Sequence, residues 1–341
     1  MTRWRQRFPL LLPAALLPAA AFILWQELIP PSLANPVSER AVAVAAEPLA
    51  GSGASIGPFR LAGALRLTSK DPAFGGISGL ASLPDGRLLA VTDAGQWLTL
   101  KPVVTGGRLT GVADAVMGAY ASAGEKNAMD GEAITFTPDG RLAVSLEQQH
   151  RLMLFEGIGP PRRPIGTIFR TATAGWPPNG GGEALAVFGD GAMLWISEAS
   201  RRPDGSHVAL WLAPDGSTRS VAIPGLAGFA PTDAARLDDG RLLLLHRFYN
   251  GISNRAAISL VDVQPIRNGG ELATGRVLAE WGGGDAWPVD NMEGLALVKE
   301  GGLPVLYVAS DDNFNPGQRS LLLRLELIAP LSPRLACAPP A

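Results

Sequence analysis

The sequence predicts an all-β protein, a β-propeller with five blades, and three observations support that prediction. One cassette recurs five times along the 341 residues: GISGLASLPDGRLLAVTDAG from Gly76, GEAITFTPDGRLAVSLEQQ from Gly131, GEALAVFGDGAMLWISEAS from Gly182, PTDAARLDDGRLLLLHRF from Pro231 and NMEGLALVKEGGLPVLYVASDD from Asn291. Each copy reads as an apolar strand, a turn and a second apolar strand, the unit of a propeller blade. The first four copies recur about every 50 residues, a period that marks repeat architectures. Glycine (41 residues) and proline (29) are abundant, and many of them fall in the cassette turns, as a turn-rich β protein requires.

The second cassette shows the full unit. Its strands are predicted at Ala133–Thr137, Arg141–Leu146, Leu152–Glu156 and Ile165–Arg170, joined by Pro-Asp-Gly and other short turns. The fifth cassette is followed by one strong strand, Ser320–Leu327, while a spare strand, Phe59–Leu67, precedes the first cassette. Placing the spare strand on the outside of the last blade would close the ring and remove exposed sheet edges. Six blades is the alternative, with a degenerate blade in Gly95–Asp130 or Val263–Asp290.

Outside the repeats, Arg3, Arg5 and Arg7 precede an apolar run from Phe8 to Trp25, and Ser32-Leu33-Ala34 supplies small residues before a cut after Ala34. Residues 1–34 therefore read as a signal peptide or an uncleaved N-terminal anchor. The body is expected in the periplasm or secreted, or tethered to a membrane through that segment. Residues 35–58, rich in Ala, Pro, Gly and Ser, read as a flexible linker, residues 59–328 as the propeller and 329–341 as a tail. Net charge is −2 and the body has no basic run, so nothing argues for a nucleic-acid partner. The single cysteine, Cys337, allows neither an internal disulfide nor a multi-cysteine metal site.

Blade geometry makes a prediction about the acids. The first strand of a blade lines the channel and the second runs antiparallel to it, so the start of one and the end of the other share a rim. The openers Ser78, Glu132, Glu183, Asp233 and Glu293 and the closers Asp93, Glu147, Glu198 and Asp311 should gather at one mouth, with His246 and Arg247 at the closing place of the fourth blade. The spacing is the same in Ser78/Asp93, Glu132/Glu147 and Glu183/Glu198. So many carboxylates raise one another's pKa and must be protonated, paired with cations, or bound to a hard metal ion. Oxygen donors favour Ca²⁺ or Mg²⁺. The expectation is Ca²⁺ held among Glu132, Glu183, Asp233, Glu293, Asp93, Glu147, Glu198 and Asp311. The alternative is that these acids cap strand ends and bind loop N–H groups or arginines. His150, His207 and His246 are scattered and show no zinc spacing.

Two further stretches carry a family resemblance: FAPTDAARLDDGRLLLLHRFYNGISNRAAI from Phe229, and DNMEGLALV from Asp290 with ASDDNFNPGQRSLLLRLEL after it. With the cassettes, from about Phe59 to Leu327, they resemble the phytase-like family, described as "esterase-like activity of phytase". The resemblance implies metal-assisted hydrolysis of a small-molecule phosphate ester or other ester. It implies a reaction centre at Glu132, Glu183, Glu293 and Asp311, with Arg247, Arg255, Arg319 and Asn313 holding the substrate. Lys126, Arg201 and Arg202 are further candidate cations. Two features depart from a multi-calcium phytase: Ser78 stands where an acid is expected, and no dense Asp/Glu loop is present in the sequence. A lactonase-type propeller, with Ca²⁺ on Glu132, Glu183, Asn291, Glu293 and Asp311, and a non-catalytic ligand- or protein-binding propeller are the other readings. The string Gly53-Ala54-Ser55-Ile56-Gly57 matches G-x-S-x-G but lacks the strand–turn–helix context of a nucleophile elbow. Trp176 and Trp287, each just before an acidic opener, could pack under a loop or stack on substrate.

Overall fold

The computed structural model describes residues 37–120, 130–169, 173 and 175–331. The expected leader, Lys126 and Cys337 lie outside these residues. In chain order come β1 (Val37–Ala41), β2 (Val44–Pro48), β3 (Ser55–Ile56) and β4 (Phe59–Ser69). The first blade follows with β5 (Ile77–Ser82), β6 (Leu88–Thr92), β7 (Gln96–Thr105) and β8 (Arg108–Ala119). The second holds β9 (Gly131–Phe136), β10 (Leu142–Leu146), β11 (Arg151–Phe155) and β12 (Pro164–Phe169). The third holds β13 (Gly182–Val187), β14 (Met193–Arg201), β15 (His207–Leu212) and β16 (Thr218–Ile223). In the fourth, β17 (Ala230–Arg236), β18 (Leu242–Tyr249) and β19 (Asn254–Asp262) are followed by the short α1 (Gln264–Arg267) and β20 (Thr274–Gly282). The fifth has β21 (Asn291–Glu300), β22 (Leu303–Asp311) and β23 (Ser320–Leu327).

These strands form five antiparallel sheets, so the protein is a five-bladed β-propeller. The described residues of Gly95–Asp130 carry the two outer strands of blade one, and Val263–Asp290 carries α1 and β20, and the sheets number five, not six. In the fifth sheet β4 pairs antiparallel with β23, Ser320 opposite Leu67 and Leu327 opposite Phe59.

Residues 37–58, read from composition as part of a flexible linker, instead carry three strands. β1 adds to the outer edge of blade one through β8, β2 adds to blade five through β4, and β3 also pairs with β4. Between β1 and β2, Val42 is buried and its N–H donates to the Ala115 carbonyl at 2.9 Å. The segment thus spans the boundary between the first and fifth blades. Ser55 lies in this edge strand opposite Arg60, which removes any nucleophile-elbow role.

The hairpins form for local reasons. In the Pro-Asp-Gly turns of the first two cassettes, Gly86 (φ +82) and Gly140 (φ +79) adopt the left-handed conformation that glycine takes without steric cost. The Asp85 carboxylate accepts the Arg87 N–H at 3.1 Å, an Asx-type turn. Apolar side chains on the two faces of each sheet fill the spaces between blades. Trp176 and Trp195 stack edge-on between blades two and three, and Trp281 and Trp287 do so next to blade five. Trp176 and Trp287 are therefore core residues.

Candidate functional site

The innermost strands β5, β9, β13, β17 and β21 each carry a β-bulge near their first residues. The extra residue is Ser78 between the pairs Ile77/Thr92 and Gly79/Val91, and Glu183 between Gly182/Ser197 and Ala184/Ile196. In β21 it is Glu293, and in β9 Glu132 and Ala133 together face Ser145. A bulge re-aims the side chain it inserts. In β17 the extra residue is Thr232, since Pro231 pairs with His246 and Asp233 with Leu245. The bulge positions therefore read Ser78, Glu132, Glu183, Thr232 and Glu293. Asp233, expected among the openers, is one position too late.

The closing positions are equally regular. Asp93, Glu147 and Glu198 each donate their N–H to a carbonyl just before the bulge, of Gly76 (3.1 Å), Asp130 (2.8 Å) and Gly181 (2.8 Å). Arg247 pairs with Ala230 and Asp311 with Asn291 in the equivalent places. Arg247, not His246, is thus the fourth blade's closer. His246 is buried, with Nε2 2.7 Å from Ser259 Oγ, and burial pushes its pKa down to about 3.

The acids of this rim form one electrostatic cluster. Asp130, Glu132 and Glu147 each place a carboxylate oxygen within 4.8 Å of the others. Glu132 and Glu183 are buried, and burial and then neighbouring carboxylates hold both well above the ordinary carboxylate range. Burial, then Glu147 and Asp93, pushes Asp130 up to about 6. Burial raises Glu293 to about 7, with Arg247 acting in the opposite direction. Burial and then Glu293 raise Asp311 to about 9, against a 2.6 Å hydrogen bond from the Asn313 N–H. Tyr120 is buried beside this group and donates its hydroxyl to the Thr92 carbonyl at 3.3 Å.

On the other side of the mouth, Arg247 compensates part of the charge. Its Nε and Nη2 donate to Glu198 Oε1 at 3.0 and 2.6 Å, and its Nη1 donates to Asn291 Oδ1 at 3.0 Å. Asn291 in turn donates to Glu293 Oε1 at 2.7 Å, which lies 3.5 Å from Arg247 Nε. Burial opposes the guanidinium charge, but Glu293, Glu198 and Glu183 more than offset it and raise the pKa of Arg247.

The expected site residues divide accordingly. Glu132, Glu147, Glu183, Glu198, Glu293, Asp311, Asp93 and Arg247 share this interacting cluster. Asp233 does not. Its Oδ2 accepts the N–H of Leu295 at 2.7 Å and of Leu80 at 3.3 Å, and its Oδ1 that of Ala234 at 2.8 Å. It occupies the place of Gly79, Ala133, Ala184 and Gly294, one residue past the bulge, and ties blades one, four and five together at the channel. Burial raises its pKa well above the usual range. Arg255 pairs with Glu280 and lies 5.5 and 5.8 Å from the Phe229 and Phe248 ring centres, all contacts within or just before blade four. Arg319 is paired with Asp290 at 3.0 Å. Asn313 is exposed, with a left-handed φ of +48°. Arg201 donates to the backbone carbonyls of Gly205 and Phe229, and Arg202 lies 3.6 Å from Glu271.

Two site residues were not anticipated. Asp130 stands one position before the second cassette, and Thr232 is masked by the acid that follows it. The signal for Thr232 is present in the sequence, since Thr232 and Arg247 are fifteen positions apart, as are Glu132 and Glu147.

Fold and site together define a five-bladed propeller with a carboxylate-lined channel mouth. The family profile described as "Phytase-like: Esterase-like activity of phytase" matches residues 72–314, and the chain belongs to that family. No curated protein matches the sequence. Among solved structures, a protein of unknown function from Bacteroides caccae is 15% identical, with 84% of this chain and 90% of that chain covered and a TM-score of 0.39. A putative 6-phosphogluconolactonase from Bacteroides uniformis is also 15% identical, covering 67% and 72% at a TM-score of 0.34. A β-propeller domain from Myceliophteria thermophila is 10% identical, covering 85% and 99% at a TM-score of 0.35.

Proposed function

We propose that this is an exported, divalent-metal-dependent hydrolase of small-molecule phosphate esters or other esters, acting at the acidic mouth. The observation that carries the reading is the convergence of Asp130, Glu132 and Glu147 oxygens within 4.8 Å of one another. Three hard oxygen donors at that spacing suit Ca²⁺ or Mg²⁺. Asp130 Oδ1 is buried without a hydrogen-bond partner, as a donor atom awaiting a cation would be. These three residues would hold the ion, and Ca²⁺ is the favoured one. When bound, it would supply Lewis acidity and screen the charge of an anionic ester.

The chain's own groups would do the rest. Among the described residues Arg247 is a cation of this mouth, and its Nη1, which donates to Asn291, would orient an anionic group. Glu293, with a pKa near 7 and its position set by Asn291, is poised to exchange a proton near neutral pH. Among the described residues the rim has one acidic triad, where a multi-calcium phytase needs a dense set of acidic loops. That favours a simple phosphomonoester, or a lactone in the second reading, over a highly phosphorylated substrate.

The test is hydrolysis of a panel of phosphomonoesters, carboxylic esters and lactones with Ca²⁺ and with chelator, together with melting curves. Turnover that requires Ca²⁺, and a calcium-induced rise in Tm lost in the Glu132→Gln/Glu147→Gln double variant, are the expected results. A melting temperature indifferent to Ca²⁺ would remove the metal. Calcium binding without turnover on any ester would leave a ligand-binding propeller.

A further inference from the structure

The face that carries the acidic mouth also presents exposed apolar side chains. The turn between β18 and β19 leaves Tyr249 62% and Ile252 93% exposed, and Phe314 is exposed on the loop between β22 and β23. Both loops are internally bonded. Asn250 Oδ1 accepts the N–H groups of Ile252 at 3.0 Å and Ser253 at 2.9 Å, which sets Ile252 at the tip of its turn. Asp312 Oδ1 accepts the N–H groups of Phe314 at 3.1 Å and Gly76 at 3.0 Å, which fastens the second loop to blade one. A tyrosine and two apolar side chains on separate loops of one rim suit the surface of a bilayer, where an aromatic ring with a polar tip meets both lipid and water.

Exposure alone does not choose the face. At the opposite end, Leu303 follows the turn from β21 to β22 and is 67% exposed. The place where the chain enters the fold does choose. β1 runs antiparallel to β8, with Val37 opposite Ala119 and Arg40 opposite Met117. Ala119 precedes Tyr120, whose hydroxyl donates to the Thr92 carbonyl beside the acid cluster. The Arg40 guanidinium donates to Asp71 at 2.7 and 2.9 Å, in the connection that leads from β4 into β5 at the mouth. The residues ahead of Val37 therefore join the propeller on its mouth side. Eleven residues, 26–36, separate Val37 from the apolar run Phe8–Trp25, a reach of at most about 40 Å. An uncut leader in a bilayer would bring the mouth side, rather than the Leu303 side, to the lipid.

We propose that residues 1–34 stay uncut as a membrane anchor and that the mouth-bearing face docks on the bilayer surface through Tyr249, Ile252 and Phe314. These side chains of blades four and five enter the interfacial layer, and the acidic mouth opens onto the lipid headgroups. Glu132, Glu147, Glu183 and Glu293 are buried, so the contact rests on apolar insertion rather than on their charge.

The test uses the full-length chain reconstituted in phosphatidylcholine vesicles in the presence of chelator. Cys337→Ser is combined with Ile252→Cys or Leu303→Cys, and the single cysteine carries an environment-sensitive fluorophore. Nitroxide-labelled lipid should quench the reporter at position 252 about threefold or more above the reporter at position 303. Tyr249→Ser and Phe314→Ser, made separately in the Ile252→Cys background, should each weaken that quenching. The altered side chains are exposed, and a melting curve checks that the variants fold. Equal quenching at the two positions, no quenching at either, or quenching at position 252 unchanged by both serine variants would each overturn the proposal. A blue-shifted but unquenched reporter at position 252 would mean that the patch meets a second copy of the chain, and recovery of a chain cut after Ala34 would remove the anchor; either result overturns it too. Chelator keeps metal out and no hydrolysis is read, so the result stands or falls separately from the activity proposed for the mouth.

Discussion

Blades two and four share one backbone plan and present opposite chemistry at the same rim. Blade two contributes Asp130, Glu132 and Glu147, three carboxylates within 4.8 Å of one another. The equivalent places in blade four hold Ala230, Thr232 and Arg247, a methyl, a hydroxyl and a guanidinium. Blade four then has an acid where its neighbours have glycine or alanine, and that acid binds backbone N–H groups instead of joining the rim cluster. A repeat fixes where side chains go, while their identities decide what each place does. The mouth is thereby polarised: charge is concentrated at blade two and compensated at blades three to five by Arg247.

The largest effect should come from removing what is particular to blade four. Asp233→Ala strands three buried N–H groups and is expected to cost about 3–5 kcal/mol in denaturant unfolding. Asp233→Asn keeps an acceptor for the Leu80 and Leu295 N–H groups but turns its NH2 toward the Ala234 N–H, so it should recover only part of that loss. Equal losses in the two variants would mean that the paired bonds to Leu80 and Leu295 contribute little.

Arg247→Leu abolishes the compensation and leaves Glu198 and Glu293 facing each other. A loss of about 2–3 kcal/mol is expected, below that of a fully buried pair because the guanidinium is partly exposed. Adding Glu198→Gln should recover part of it. If Arg247→Leu alone melts like the parent, the two sides of the mouth are electrostatically equivalent after all.

The smallest effect is the pH response of the metal-free protein. Asp130, Glu293 and Asp311 have folded pKa values of about 6, 7 and 9, above their ordinary values of 3.8, 4.5 and 3.8. The folded state therefore holds more protons than the unfolded state over that range. The stability these groups contribute is complete below about pH 4 and is lost as pH rises toward 9. In chelator, Tm should fall by about 2–5 °C between pH 5 and 8, and Ca²⁺ should flatten the curve. A Tm that rises with pH in chelator would contradict the raised values.

Much of this was legible in the sequence. The repeat announced the propeller and its five blades, and the argument from antiparallel hairpins brought Glu132, Glu147, Glu183, Glu198, Glu293, Asp311 and Asp93 to one cluster. What escaped depends on register. An extra residue in a strand shifts which side chain faces which side, so choosing the acid Asp233 over its neighbour Thr232 misplaced one rim residue by a single position. The constant spacing to Arg247 was the better guide. Asp130 was missed because it precedes the repeated string. The strands β1 and β2 were missed because VSERA and VAAEP carry little apolar signal. Edge strands draw their order from the ladder they join, which composition does not report.

The fifth sheet has a consequence for how the chain folds. Arg60 in β4 and Glu326 in β23 are partners across 266 positions. One long edge of β4 must wait for nearly the whole propeller to be synthesised before its mate exists. Contacts this distant in sequence slow folding, and an unmated strand is prone to adhesion between chains in the meantime. β2 and β3 need no such wait, because both bind β4 from close by and can shield its other flank early. The short segment ahead of the repeats would then act as a guard during biogenesis, and its deletion should show first as aggregation on refolding.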